Sequence, residues 1–423
     1  MKSAMINRSA EKCAPGSMLL VLPVPFRRQG DKLLFEAQAC NGLNRWADHF
    51  STVIAAAPLI PEELAGKDRA IVWEDTKGLN QRIRCIPLPW AYTLPAFLRS
   101  YPQIKRLLDA QIDQCEYLQF AIGGLVGDWA AIAAREAIKR NRRFAVHTDR
   151  VEPNLLRTLV RGKSGPRAWK MSVEASLMDR YHRSLISHCA VGLWHGQECY
   201  SAYAPWCENN YLIHDVHTKP SDGISASQLE LKLARIESAN ELKIVYAGRM
   251  AEMKAPLEWL NAIAWACKLG VKLRAKWFGD GELRGQMEAE ITRLNLNSVV
   301  QLTGFVSDRQ QLLEELRDSH LMLFAHITPE SPRCLLESLI CGTPIVGYDN
   351  PFARDLTASQ GGGSFVPIHD SKALGERIAH LSNERQELRA LTAAAAGNGR
   401  RFNDEAVFSE RSHIIKTVLS HQR

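Results

Sequence analysis

Residues 321–349 read LMLFAHITPESPRCLLESLICGTPIVGYD, from Leu321 to Asp349. The run LMLFA (Leu321 to Ala325) is short, apolar and bounded, the pattern of a parallel strand covered on both faces, and PIVGY (Pro344 to Tyr348) repeats it. Between them Pro329, Ser331 and Pro332 break regular structure. Leu335, Leu336 and Leu339 then give a helix one buried stripe until Gly342 stops it. The stretch is therefore a strand, loop, helix, strand unit of an α/β fold. Glu330 falls in the loop beyond the carboxyl end of the first strand, where open α/β sheets bind ligands, and Glu337 lies one to two turns into the helix. A carboxylate accepts two hydroxyl hydrogen bonds, which suits a sugar or ribose diol, while the N–H groups of a helix's first turn attract an anion. Such a site wants a sugar bearing phosphate.

Through Glu330, Glu337 and Gly342-Thr343-Pro344 the stretch resembles the retaining nucleotide-sugar glycosyltransferases of glycosyltransferase family 4 (glycosyl transferases group 1), which have the GT-B fold. The resemblance implies two Rossmann-like, doubly wound parallel-sheet domains facing a cleft. It implies that Glu330 touches the donor sugar and that Glu337 holds the nucleotide ribose, with Leu336 beside it in the nucleotide site. Six residues, SPRCLL, separate the two glutamates, one fewer than the family usually has.

The neighbouring sequence extends the same reading. LKIVYAGR (Leu242 to Arg249) is an apolar strand ending in Gly-Arg, and Pro256 opens a helix whose Leu257, Leu260, Ile263, Ala264 and Cys267 share a face. Arg249 and Lys254 occupy the loop between. Two cations at the mouth of a sheet suit a diphosphate, the arginine as a planar fork and the lysine as a point charge. In the resembled family this pair binds the diphosphate, and both residues would stabilise charge on the leaving group. Gly279-Asp280-Gly281 looks like the family's Gly-Asp-Gly turn, where glycine lets the backbone approach a ligand or a neighbouring helix. VVQLTGFV (Val299 to Val306) is another strand, and the resemblance puts the backbone at Val306 against the nucleotide base. Gly361 to Gly363 reads as a flexible turn, since no helix start follows directly.

The N-terminal half shows architecture more than chemistry. MLLVLPVP (Met18 to Pro25) reads as a first strand, followed by a loop RRQGDK and a helix-like LLFEAQACNGLNRWADHF. Arg27, Arg28 and Gly30 make that loop an acceptor-site candidate, although family members carry a glycine pair there. A β-α-β unit follows as YLQFAIG, GDWAAIAAREAIKRNRR and FAVHTD. His147, Asp149 and Arg150 end its last strand, and the resemblance gives His147 a contact with the donor sugar. Pro153 to Gly165 reads as a mobile loop, Lys170 to Cys189 as a long helix, and Ala190 to Tyr200 as the last strand of this half and its loop. His214 and His217 read as surface histidines, because no further metal ligand stands near them.

The expected organisation is an acceptor-side domain at 1–205, a linker at 206–241 containing the short strand YLIHDV, a nucleotide-sugar domain at 242–405, and a helix at 406–423 that crosses back to the first domain. The length of 423 residues accommodates this, and 46% hydrophobic with 23% charged residues is a soluble globular composition. A polar N-terminus without an apolar signal core leads to the expectation of a cytoplasmic protein. The ten cysteines are scattered singly, as reduced thiols are. The formal charge of +7 is uneven, with a basic run from Arg135 to Lys170 that makes an anionic membrane surface a candidate partner and the inner membrane face a candidate location. No aromatic residues interleave with it as in nucleic-acid binding.

The function expected is transfer of a hexose from a UDP or GDP sugar to a hydroxyl of a glycan, lipid-linked or small-molecule acceptor, with retention at the anomeric carbon. The nucleotide sugar is a co-substrate, no further cofactor is expected, and no paired aspartates call for a metal. Alternatives on the same fold are a nucleotide-sugar epimerase and a non-catalytic nucleotide-sugar-binding protein. A dinucleotide oxidoreductase does not fit, because neither half has G-x-G-x-x-G opening a helix after its first strand.

Overall fold

Short apolar runs alternating with amphipathic helices pair most readily in parallel, with helices covering both faces. The structure, a computed structural model that describes residues 13–65, 71–216, 218–328 and 332–420, contains two such sheets. The chain divides into two compact units, one made of Met1–His195, Cys199–Ile213 and Phe408–Arg423, the other of Gly196–Glu198 and His214–Val407.

The first unit opens on β1 (Ala14–Val21), β2 (Arg27–Gln29), β3 (Lys32–Glu36), α1 (Ala37–His49), β4 (Thr52–Pro58), α2 (Glu62–Ala65), β5 (Trp73–Asp75) and β6 (Ile83–Leu88). It continues through α3 (Leu94–Gln114), β7 (Cys115–Ala121), α4 (Trp129–Lys139), β8 (Ala145–Thr148), α5 (Glu152–Val160), α6 (Pro166–Ile186), β9 (Val191–His195), α7 (Gly196–Tyr203) and β10 (Asn210–Ile213). Its 7-stranded parallel sheet runs β10-β9-β8-β7-β1-β4-β6, and β2-β3-β5 form a small antiparallel sheet.

Four local expectations are corrected here. RRQGDK is not a loop leading to a helix but the hairpin of β2 and β3. Gln29 pairs with Lys32 across Gly30-Asp31, and Gly30 has φ +56, which a two-residue turn demands and glycine supplies freely. Residues 153–165 are not all loop, since EPNLLRTLV forms α5 with Pro153 in its first turn. The segment after β9 is the helix α7, and YLIHDV supplies β10 to the first sheet. His214 is no surface histidine: it is half-buried, hydrogen-bonded to Asp355 at 2.7 Å and packed on Phe352 and Phe402. His217 lies outside the described residues.

The second unit contains α8 (Ala226–Ser238), β11 (Leu242–Ala247), α9 (Pro256–Lys268), β12 (Leu273–Phe278), α10 (Arg284–Arg293), β13 (Val300–Gly304), α11 (Arg309–Asp318), β14 (Leu321–Phe324), α12 (Arg333–Ile340) and β15 (Ile345–Tyr348). After these come α13 (Pro351–Thr357), β16 (Gly363–Val366), α14 (Ser371–Asn383), α15 (Arg385–Gly399) and α16 (Asp404–Ser420). From Phe408 onward α16 belongs to the first unit, where Phe408 packs edge-on to Trp46 at 5.1 Å and Lys416 donates to the His49 carbonyl at 2.5 Å.

The second sheet runs β13-β12-β11-β14-β15-β16, all parallel. Its strands β11, β14 and β15 are nearly continuous buried apolar runs, as strands covered on both faces must be. The direction of winding reverses between β11 and β14. In such sheets the crevice outside the carboxyl ends of the two strands at the reversal is where ligands bind.

Candidate active site

Two loops leave the second sheet side by side at the reversal. After β11 come Gly248, Arg249 and a 3-10 turn at Glu252–Lys254, and after β14 come His326, Ile327 and Thr328. The Ile327 amide donates to the Met253 carbonyl at 3.2 Å and ties the loops together. Arg249 is exposed and has no ion pair among the described residues, whereas Lys254 is half-buried. Ala255 then adopts a left-handed conformation, φ 43 and ψ 57, and caps α9 before Pro256. A non-glycine residue held there carries strain that surrounding structure must fix, and such strain gathers at ligand sites. Below Lys254, His326 is wholly buried and joined to the Tyr246 hydroxyl at 2.7 Å. Burial, and secondarily the nearby Lys254 charge, hold its imidazole neutral, well below the usual histidine range.

The Arg249 loop is anchored by backbone. The Trp277 indole donates to the Gly248 carbonyl at 2.9 Å, the Gly248 amide to the Phe278 carbonyl at 2.8 Å, and the Met250 amide to the Asp280 carbonyl at 3.0 Å. Gly279, at φ +131, sits so close to this loop that a Cβ would stand 2.1 Å from the Gly248 carbonyl oxygen. A Cβ on Gly281 would meet the Met250 carbonyl oxygen at 2.6 Å. Gly279 thus serves a close approach between two loops, with the protein's own backbone as its neighbour. The Gly279 amide also donates to the Gly304 carbonyl at 2.8 Å, which brings the end of β13 and half-buried Val306 into the same rim. Phe305 beside it is 50% exposed, an apolar ring held at the mouth of the site.

On the other side, α12 supplies Glu337, whose Oε1 accepts from the Arg309 guanidinium at 2.7 Å. Burial alone would lower the Arg309 pKa, but Glu337 more than offsets this and raises it, with Asp222 at 3.9 Å adding to the effect. Leu336, beside Glu337, is buried in the core, 2% exposed. Glu330 lies outside the described residues. Asn350 steadies the loop on its near side, donating to the Thr328 carbonyl at 3.1 Å while its Oδ1 caps α13. The sequence reading missed Arg309, Asp222 and His326. Arg309 had a local signal, a basic residue opening the helix that follows the Val306 loop.

His147 belongs to the first unit, at the end of β8. It is buried, with Nε2 3.2 Å from the exposed carboxylate of Asp149. The loop with Arg28 and Gly30 is spent on the hairpin turn, and Arg27 pairs with Glu62 at 2.7 Å and covers Trp73. Within the basic run, Lys139 pairs with buried Glu136, Arg140 with Asp109, and Arg157 with Asp179. Among the described residues Arg161, Lys163, Arg167 and Lys170 are exposed and have no ion pair.

Both sheets have the Rossmann-like strand order of the GT-B fold. Residues 231–398 match the family model described as glycosyl transferases group 1. A curated relative in Mycobacterium tuberculosis (strain ATCC 25177 / H37Ra), a GDP-mannose-dependent alpha-(1-6)-phosphatidylinositol dimannoside mannosyltransferase, is 30% identical over 122 residues. The match covers 29% of this chain and spans about a third of that relative's length, 31%. Among solved structures, Alr3699/HepE of Anabaena in complex with UDP superposes with a TM-score of 0.64 at 15% identity, covering 95% of this chain and 99% of that one. The sucrose-phosphate synthase of Thermosynechococcus elongatus superposes with a TM-score of 0.66 at 12% identity, covering 96% and 100%. At these identities the two structures establish the fold. Among the described residues no helix is long and apolar enough to cross a membrane.

Proposed function

We propose that the protein transfers a hexosyl group from a nucleoside diphosphate sugar to an acceptor hydroxyl, with retention and without a metal ion. The observation that carries this is the exposed Arg249 and half-buried Lys254 at the switch point of a sheet whose segment matches the model of a glycosyltransferase family. Charge grows on the diphosphate as the glycosidic bond breaks, and fixed cations beside it stabilise that charge without reorganising. Glu337, oriented by Arg309, holds the ribose diol, and Glu330 receives the sugar hydroxyls. The departing phosphate takes the acceptor's proton on the same face, so the configuration is kept and no protein nucleophile is required. The UDP bound to the Anabaena relative and the GDP-mannose named for the mycobacterial one define the donors to test first.

Calorimetry with a panel of UDP and GDP sugars, with and without chelator, tests the donor and the metal together. Binding is expected to survive the chelator, and its loss would end the metal-free reading. A product of inverted anomeric configuration by NMR would end the retaining one.

We further propose that α5 and α6 rest on an anionic membrane surface that presents a lipid-linked acceptor. Trp169, Val173 and Leu177 are 71%, 38% and 51% exposed, and their four-residue spacing puts them on one face of α6, beside Arg167 and Lys170. An apolar stripe with flanking cations is the pattern of an interfacial helix, each cation adding about 1 kcal/mol near anionic lipid. The full chain should sediment with phosphatidylserine vesicles and not with phosphatidylcholine ones, and Trp169→Ser with Lys170→Glu should release it. Equal sedimentation of wild type with both vesicle types would refute the electrostatic part.

A further inference from the structure

At the amino ends of β11 and β14, the edge of the second sheet opposite Arg249, lies a cavity of about 330 Å³. Its walls come from α8, the turn into β11 and the end of α11. The innermost groups are hydrogen-bond donors. Lys232 is 6% exposed and gives one N–H to the Thr343 hydroxyl at 2.5 Å, leaving two in its ammonium form. His320 is 5% exposed, and its Nδ1 accepts from the Lys243 amide at 2.9 Å, so the ring proton sits on Nε2. That Nε2–H has no partner among the described residues, and His320 lines the cavity. Arg317, also in the wall, donates through Nη2 to the Asp222 carbonyl at 2.8 Å, while its buried Nε has no hydrogen bond. The cavity's two carboxylates are already engaged, Asp318 by Lys243 at 2.5 Å and more loosely by the rim Arg235 at 3.5 Å, and Glu241 by Arg274 at 2.9 Å. A buried Arg317 Nε without an acceptor, together with the spare N–H groups of Lys232 and His320 on the wall of a cavity whose acids are neutralised, calls for an anion from outside.

We propose that this cavity binds a small oxyanion of the phosphate class, held by Lys232, His320 and Arg317 within and by Arg235 at the rim. The ligand is free phosphate or a small phosphomonoester, for both present the same tetrahedral set of acceptors. Its position gives it a route to the donor site. Thr343, the partner of Lys232, follows Gly342 at the end of α12 and donates on to the Leu316 carbonyl at 2.5 Å. Arg317 holds the backbone of Asp222, whose carboxylate lies 3.9 Å from the Arg309 that orients Glu337. Occupation therefore braces α12 from its far end. The inference does not depend on the chain being a transferase.

The test is thermal unfolding of the full chain in inorganic phosphate, and separately in glycerol phosphate, against chloride at equal ionic strength. A saturable rise in the midpoint of about 2–4 °C is expected with at least one of the two, the response to one site filled well above its dissociation constant. Glycerol phosphate acting alone would identify the phosphomonoester as the ligand. Arg249→Ala should keep the rise, because that residue serves the donor site. Lys232→Met should abolish it. Arg235→Glu, a change at an exposed position that leaves the buried wall intact, should weaken the apparent affinity at least about tenfold, since it replaces an attractive rim charge with a repulsive one. No phosphate-specific rise in wild type would overturn the proposal. So would a rise that disappears in Arg249→Ala and persists in both Lys232→Met and Arg235→Glu, which would put the anion in the donor site instead.

Discussion

Under the proposed function, Arg249 and the two glutamates separate the parts of a nucleotide sugar by charge and by hydroxyls, and each variant tests one part. Truncating Arg249 or Lys254 to alanine removes a cation from a developing diphosphate charge, and kcat/KM should fall by about two to three decades in each. Near-normal turnover in both would place the diphosphate elsewhere. Glu337→Gln should weaken free UDP or GDP and the intact donor alike, since the ribose is common to both. Glu330→Gln should lower turnover strongly while leaving the free nucleotide almost unaffected, because that nucleotide lacks the sugar. Each lost charge-assisted hydrogen bond is worth about 1.5–3 kcal/mol. Titration calorimetry with nucleotide and donor in parallel makes the distinction. If Glu330→Gln turns over normally, the six-residue spacing to Glu337 has carried the side chain away from the sugar.

At the scale of the element, the turn between β12 and α10 fixes the Arg249 loop by close approach. A methyl group on Gly279 would collide with the Gly248 carbonyl and would ask alanine to hold φ +131. Gly279→Ala should destabilise the second unit by on the order of 3 kcal/mol and loosen nucleotide binding. Gly285→Ala is the control. That glycine lies within α10, a Cβ there meets nothing within 4 Å, and the substitution should be neutral or stabilise by about 0.5–1 kcal/mol. Denaturant unfolding of both variants checks the pair. The same turn shows what was readable in the sequence. Gly-Asp-Gly after an apolar strand announced close approach, but the thing approached, another loop's backbone, is 31 residues away in the chain and had no local signature. Strands such as β11 and β14 were legible because burial on both faces leaves an unbroken apolar run. The β2–β3 hairpin and α5 were not. Their strands and turns are short, and Gly30 or Pro153 alone fits several conformations. Arg309 announced itself only as a basic residue opening a helix, and its ion pair to Glu337 is a tertiary fact that no spacing encodes.

For the whole molecule, the buried bases set a pH dependence whose sign follows from their shifts. Burial pushes the Lys232 ammonium from 10.5 down to about 7, and burial, with Lys232 itself second, lowers His320 from 6.5 to about 4. A base with a depressed folded pKa leaves the unfolded chain holding more protons between the two values, so stability rises with pH across that window. For His320 the window is about pH 4 to 6.5, with His326 acting in the same direction, and for Lys232 it is about pH 7 to 10.5. Buried thiols oppose this at the alkaline end. Burial raises Cys85 and Cys115 to about 11 and Cys40 and Cys341 to about 12, so the unfolded chain loses its thiol protons first and stability declines above pH 9. The chain should therefore be most stable near pH 9. Between pH 7 and 9 Lys232 contributes a rise of at most about 2–3 kcal/mol, two pH units at about 1.4 kcal/mol each. Urea unfolding in phosphate-free buffers should show the midpoint climbing across that interval. Lys232→Met should flatten the climb from pH 7 to 9 and keep a climb below pH 6.5, smaller for His320 because Lys232 helps to depress it and unchanged for His326. A climb from 7 to 9 that survives in Lys232→Met would mean that this lysine keeps its proton in the folded chain, through a counter-charge that the Thr343 hydroxyl does not supply.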